Sequence, residues 1–200
     1  MNRRELSLYT LIALMPVLGG CALAALGAGA AGGAAVAADR RTTGSVVEDQ
    51  SIELKAAQAL RASESIPSNS NVNVTSYNGS VLLTGEAPSQ EVRTAAVELV
   101  RNIEKVKRVY DEITIAEPSS MKARGSDALI TSRVKTRLLA DDQTEGFDIK
   151  VVTERGVVYL MGLLSDAEAQ NAVDVSKRVE GVQRVVSLFE DPQEASTAQR

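Results

Sequence analysis

The chain carries one short pattern twice, and a duplicated pattern forces the fold to be built from two like units. Val72-Asn-Val-Thr-Ser-Tyr-Asn-Gly-Ser-Val-Leu-Leu-Thr-Gly85 aligns with Ile149-Lys-Val-Val-Thr-Glu-Arg-Gly-Val-Val-Tyr-Leu-Met-Gly162. Gly79 falls on Gly156 and Gly85 on Gly162, at a repeat spacing of about 77 residues. Upstream, Ile52 and Leu60 match Ile130 and Leu138; downstream, Val106 and Val109 match Val182 and Val185.

Each copy shows the same order of elements. Ile52, Ala56 and Leu60, and again Ile130, Val134 and Leu138, recur at i, i+4, i+8, the spacing of one helix face. Two short strands follow; in the second copy Ile149, Val151 and Thr153 alternate with Asp148, Lys150 and Val152, as a half-buried strand requires. Asn78-Gly79 predicts a type I′ hairpin, whose central residues both need positive φ, and Arg155-Gly156 fills the same place. Gly85 and Gly162 are expected to end the second strands, at a sharp turn or a close backbone approach. A second helix begins after Pro88-Ser89 and after Ser165, both serines suited to capping. Its apolar face is Val92, Ala96, Leu99 and Ile103 in one copy and Ala169, Ala172, Val173, Val175 and Val179 in the other. Last strands near 106–115 and 182–189 complete two tandem α-β-β-α-β units. The fold class is therefore α+β, with two helices packed on one face of each three-stranded sheet. Aromatics make up only 3% of the chain and Trp is absent, so both cores must be built from Val, Ile, Leu and Ala.

Ahead of the repeats stands an export signal over residues 1–20: Arg3 and Arg4, then an apolar run from Leu6 to Leu18 that is too short to span a bilayer. Leu18-Gly19-Gly20-Cys21 resembles the lipobox of bacterial lipoproteins, in which small residues admit the peptidase and the cysteine sulfur takes the lipid. Cys21 is the only cysteine in the chain, and it is the expected lipid-attachment residue. Residues 21–45 read as a tether, Ala/Gly-rich up to Ala38 and polar from Asp39 to Ser45. Three acyl chains exceed the two-signal threshold for stable anchoring. Ala22, where Asp favours inner-membrane retention in Gram-negative lipoproteins, implies by that resemblance sorting to the outer membrane. The domains are placed at 46–117 and 126–190, with a linker at 118–125 and a polar tail at 191–200.

Catalytic chemistry finds no purchase. With no His and Cys21 committed to lipid, no Ser or Thr has a base to activate it, so no catalytic residue is assigned. Asp141, Asp142 and Glu145 lack the alternation of a calcium loop and read as a solvated turn, so no metal and no cofactor are expected. A net charge of −4 argues against nucleic acid as a partner.

Charge separates the two copies. The first helix of copy one is mixed, with Asp49, Glu53, Lys55, Arg61 and Glu64. From Met121 to Leu139, Lys122, Arg124, Arg133, Lys135 and Arg137 face only Asp127. Leu129 and Leu139 lie off the Ile130/Val134/Leu138 stripe, and basic residues beside exposed leucines suit an anionic membrane surface. Arg124, Leu129, Arg133, Lys135 and Arg137 are the candidate lipid-binding residues.

Helix, then V-x-V-x-x-x-x-G-x-V-x-L-x-G, then helix and G-V-x-x-V: this order resembles the BON domain, and two such units behind a lipobox resemble the dual-BON outer-membrane lipoproteins. Copy two keeps the G-V step as Gly181-Val182; copy one departs from it at Glu104-Lys105-Val106. The resemblance implies a periplasm-facing, outer-membrane-anchored lipoprotein that binds anionic phospholipid through its second domain and supports envelope integrity. The other expected role is that of an adaptor, docking a protein of the envelope-assembly or peptidoglycan-remodelling machinery.

Overall fold

A computed structural model describes residues 40–144 and 148–193. The export signal, Cys21, the Ala/Gly-rich tether, Glu145 of the acidic loop and all but the first three residues of the polar tail lie outside the described residues. In chain order the first unit consists of α1 (Thr43–Ala62), β1 (Asn71–Tyr77), β2 (Ser80–Ala87), α2 (Gln90–Arg101) and β3 (Arg108–Ile115). The second repeats it as α3 (Met121–Leu139), β4 (Lys150–Glu154), β5 (Val157–Leu163), α4 (Asp166–Lys177) and β6 (Arg184–Glu190). Both units are α-β-β-α-β, as the repeat requires.

In each sheet the middle strand pairs antiparallel with its hairpin partner and parallel with the last strand, so the order is β1-β2-β3 and β4-β5-β6. The expected helix stripes close one face. Ile52, Ala56 and Leu60 of α1 meet Val81, Leu83, Ala96, Val97 and Val100 in one core; Ile130, Val134 and Leu138 of α3 meet Val158, Leu160 and Ala172 in the other.

The second face of each sheet is covered too. Tyr77 and Leu82 of the first sheet pack against Tyr159, Met161 and Leu163 of the second, with Tyr110, Val152, Val157, Val186 and Leu188 around them. The alternation in β4 is therefore not a core face against a solvent face. Ile149 and Val151 point into their own domain's core, and Val152 packs between the sheets. The result is four layers, helices–sheet–sheet–helices, which explains why every residue of β2 is buried.

The turns follow backbone sterics. Asn78 (φ 53°) with Gly79 (φ 80°), and Arg155 (φ 52°) with Gly156 (φ 76°), are left-handed pairs, as a type I′ hairpin demands. Gly85 departs from expectation in part. It does not end β2, which runs on to Ala87, but a Cβ there would overlap the Asn71 carbonyl on the paired strand. Where copy two has Gly181 (φ 94°), copy one places Lys105 at φ 71°, keeping the turn without the glycine. Two segments read as linkers are structured. Thr42 caps α1 by accepting from the Ser45 N–H, and Ser120 caps α3 by accepting from the Ala123 N–H, so both helices begin earlier than the apolar stripes indicate.

Asp49 and Asp127, read as helix-surface charges, are instead buried, at 3% and 7% exposure. The Asp49 carboxylate accepts the N–H groups of Asn78 (2.7 Å) and Gly79 (2.9 Å) and the Ser76 hydroxyl (2.6 Å). Asp127 accepts the N–H groups of Arg155 and Gly156, both at 2.9 Å. Each first helix thus holds its own hairpin turn through a charge-assisted clasp. Asp49→Ala should cost about 3 kcal/mol or more, since buried amides lose an ionised acceptor. Asp127→Ala should do the same in copy two. Urea denaturation of both variants checks this, and midpoints unchanged from the parent would refute the clasp.

Candidate functional site

α3 carries the candidate surface. Its buried stripe is Asp127, Ile130, Val134 and Leu138, and the rest of the helix faces outward. Arg124, Leu129, Arg133, Lys135 and Arg137 are all exposed, and Lys122 joins them. Leu129 is 61% exposed, Met121 77% and Leu139 49%, unusual values for large apolar side chains. At about 100° per residue, Lys122, Leu129, Arg133 and Arg137 share one flank, Arg124 and Lys135 share the other, and Met121 and Leu139 stand between. The structure therefore brings the five predicted residues onto one helix, but along two basic rims rather than in a single patch.

With Asp127 turned inward, the exposed face of α3 holds five cations and no carboxylate. Among the described residues only Arg133 of these five is ion-paired, to the exposed Glu180 at 3.7 Å, a contact worth under about 1 kcal/mol. The arginines do not cross to acids of the first domain. No helix among the described residues is long and apolar enough to cross a membrane. The outward face of α1 is different: Val47 and Leu54 are exposed, but Glu48 stands among Lys55 and Arg61, and Glu53 is half-buried toward the second domain.

The residues just before α1 form a clasp that the sequence pattern did not reveal. The Arg40 guanidinium pairs with Asp148 (2.9 Å) and Glu168 (2.6 Å) and donates to the Leu163 carbonyl, all in the second domain. Arg41 pairs with Asp49 at 2.7 Å and stacks over the Tyr77 ring at 3.9 Å. Tyr77 donates in turn to the Asp148 carbonyl, and Lys150 reaches Glu53 at 2.8 Å. Only the recurrence of cap positions Thr42 and Ser120 in the two copies hints that Arg40 and Arg41 belong to the fold.

On the opposite side of the domain interface the charges are acidic. Glu154 (8% exposed) is pushed above the ordinary carboxylate range by burial, and further by the charges of Glu86 and Asp127. Glu86 is fully buried, which alone would raise it. The hydrogen bond from Asn71 and the Arg155 charge outweigh burial and hold it below its ordinary value. Burial, with Glu112 beside it, pushes the Tyr159 hydroxyl up to about 12.

Glu168 is the clearest pH-linked group. The hydrogen bond from Arg40, opposed by partial burial and joined by Ser165, lowers it from 4.5 to about 2. A carboxylate depressed on folding contributes stability that is complete above its unfolded value and lost as pH falls through its folded one. The window therefore runs from 4.5 down to about 2. Thermal melts should show Glu168→Gln less stable than the parent at neutral pH, with the gap closing across that window; a gap independent of pH would remove the Arg40–Glu168 contribution.

Comparison with known proteins places this geometry in context. The BON domain matches residues 48–117 and 126–190. The outer membrane lipoprotein DolP of Haemophilus influenzae is 36% identical over 172 residues, covering 86% of this chain and 89% of that protein. A 21 kDa hemolysin of Actinobacillus pleuropneumoniae is 35% identical over 76% of this chain and 78% of its own length. The osmotically-inducible protein Y of Escherichia coli is 33% identical over 71% and 72%. Among solved structures, CdsD of the Chlamydia trachomatis type III secretion system covers 77% of the chain and 96% of its own at 12% identity, with a TM-score of 0.30.

Proposed function

The chain belongs to the BON-domain family, and from that premise we propose a non-catalytic, lipid-anchored envelope protein that docks on anionic phospholipid through α3 of its second domain. Its anchor is Cys21, its membrane the outer one, and its domains face the periplasm, where they support envelope integrity. The likeness to the Haemophilus influenzae protein, an outer membrane lipoprotein, supports that placement.

One observation carries the docking surface: the exposed side of α3 has five cations, no acid, and three large apolar side chains, Met121 and Leu139 between its basic rims and Leu129 on one of them. Such a face gains twice at an anionic bilayer. Met121, Leu129 and Leu139 leave water for the headgroup–acyl boundary, while the basic side chains on either flank extend to the phosphates. Each basic residue near the surface contributes roughly 1 kcal/mol, weakened by salt.

Reversing Arg133 and Arg137 to Glu should abolish co-sedimentation with anionic vesicles while leaving the melting temperature near that of the parent, because both side chains stand clear of the core. Leu129→Asp should weaken binding through lost apolar insertion. The matching reversals in copy one, Lys55→Glu with Arg61→Glu, should change little. Binding indifferent to salt, or lost equally with the copy-one changes, would place the lipid surface elsewhere.

The anchor has its own test. Cys21→Ser should leave uncleaved precursor or release the protein from the outer-membrane fraction, and palmitate labelling should vanish. Labelling that persists in this variant would rule out lipidation at Cys21.

A further inference from the structure

Residues that match between the two copies do not make the same contacts across the domain interface, and the difference exposes a second site. Aligning the helix caps Thr42 and Ser120 sets Arg41 against Ser119, Asp49 against Asp127 and Glu53 against Thr131. Aligning the hairpins sets Tyr77 against Glu154 and Lys150 against Asn73. On the first side, the space between α1 and the second sheet is filled. The Lys150–Glu53 ion pair occupies it, and the Arg41 guanidinium lies on the Tyr77 ring against Asp49.

On the second side every one of those fillings is missing. Asn73 and Thr131 are too short and uncharged to meet, and Ser119 replaces the guanidinium. What remains is a cavity of about 420 Å3 between the domains, lined by Asn73 and Thr84 of the first and by Arg124, Asp127, Thr131 and Glu154 of the second. Behind it, Glu86 Oε1 is buried with no hydrogen bond of good geometry, the Arg155 guanidinium standing 3.5 Å off. Three buried carboxylates, Glu86, Asp127 and Glu154, thus face one drawn-up guanidinium, that of Arg155, with Arg124 exposed at the rim.

We propose that this cavity is a binding site for a guanidinium group, supplied by an arginine side chain of a partner protein, lying between Asp127 and Glu154. The occupied first side is the template. There Asp49 Oδ2 accepts the Asn78 N–H and the Arg41 guanidinium together, both at 2.7 Å. Asp127 Oδ2 accepts the matching N–H of Arg155 at 2.9 Å, and its carboxylate oxygen has a lone pair to spare. Glu154 supplies a second carboxylate where Tyr77 supplied a ring. A guanidinium is favoured over an ammonium because its planar fork can meet two carboxylates at once. The site draws on neither Leu129 nor Arg133 and shares only Arg124, at its rim, with the membrane-facing surface.

The test titrates the full-length lipoprotein in detergent, isotope-labelled, with N-acetyl-arginine amide and follows backbone amide shifts. Saturable shifts at Asn73 and over 152–155 are expected, with none from the uncharged citrulline analogue. Glu154→Gln should weaken binding about tenfold or more. Ser119→Arg combined with Glu154→Tyr rebuilds the first side's arrangement; it should abolish binding while holding or raising the melting temperature. That second variant keeps the test decisive if Glu154→Gln loosens the interface. Shifts that never saturate, a response unchanged in Glu154→Gln, or tighter binding of glycerophosphoethanolamine, which would make the site one for lipid amines, would each overturn the proposal.

Discussion

A buried aspartate on the first helix of each domain, closed onto the two N–H groups of a left-handed hairpin turn, is the constraint from which the rest of the structure follows. Two-stranded hairpins are marginal alone, and a type I′ turn points its amides away from its own ladder. Asp49 and Asp127 give those amides an ionised acceptor in a place closed to water, where a hydrogen bond is strongest and its loss most costly. The same contact sets how far each helix lies along its sheet. Ile52, Ala56 and Leu60 then fall over Val81 and Leu83, and Ile130, Val134 and Leu138 over Val158 and Leu160.

Using an acid for this purpose also shapes the surface. Turning Asp127 inward removes the single negative charge from the most basic stretch of the chain, so a structural contact on one side of α3 leaves an unopposed cationic face on the other. Copy one makes the matching inward contact through Asp49, yet its outward face keeps Glu48 beside Lys55 and Arg61. The two domains therefore share a core and differ in what they offer to the outside. The helix–sheet cores of the two copies match, whereas their outward faces and interface positions such as Tyr77 and Glu154 differ.

The elements and both cores were legible because periodicity reports burial directly: Ile52/Ala56/Leu60 and its copy could only be one helix face, and Asn78-Gly79 could only be a turn. What covers the second sheet face was not legible. In β4 Ile149 and Val151 alternate with Asp148 and Lys150 as in any half-exposed strand, and the continuous apolar run of β5 from Val157 to Met161 signals burial on both faces without telling what supplies it. Asp49 and Asp127 read as surface charges for a similar reason, since a lone acid on a helix is ordinarily solvated and only its partner amides, far along the chain, show otherwise. Arg40 and Arg41 were hidden by the low-complexity segment before them. The candidate lipid-binding residues were found as a group because charge and helical spacing are both local, whereas their division into two rims required the helix to be placed on its core.

The central claim is that the α3 face, and not the equivalent face of α1, enters the membrane surface. The chain has no tryptophan, so a single introduced indole reports its own surroundings without background. Leu129→Trp and Leu54→Trp put that reporter at exposed positions on the two helices, which are 61% and 59% exposed as leucine. With anionic vesicles containing brominated acyl chains, the Leu129→Trp protein should shift to the blue and be quenched, and added salt should reverse both changes. The Leu54→Trp protein should keep its aqueous spectrum. Equal quenching at both positions, or none in the Leu129→Trp protein while the protein remains on the vesicles, would contradict the account.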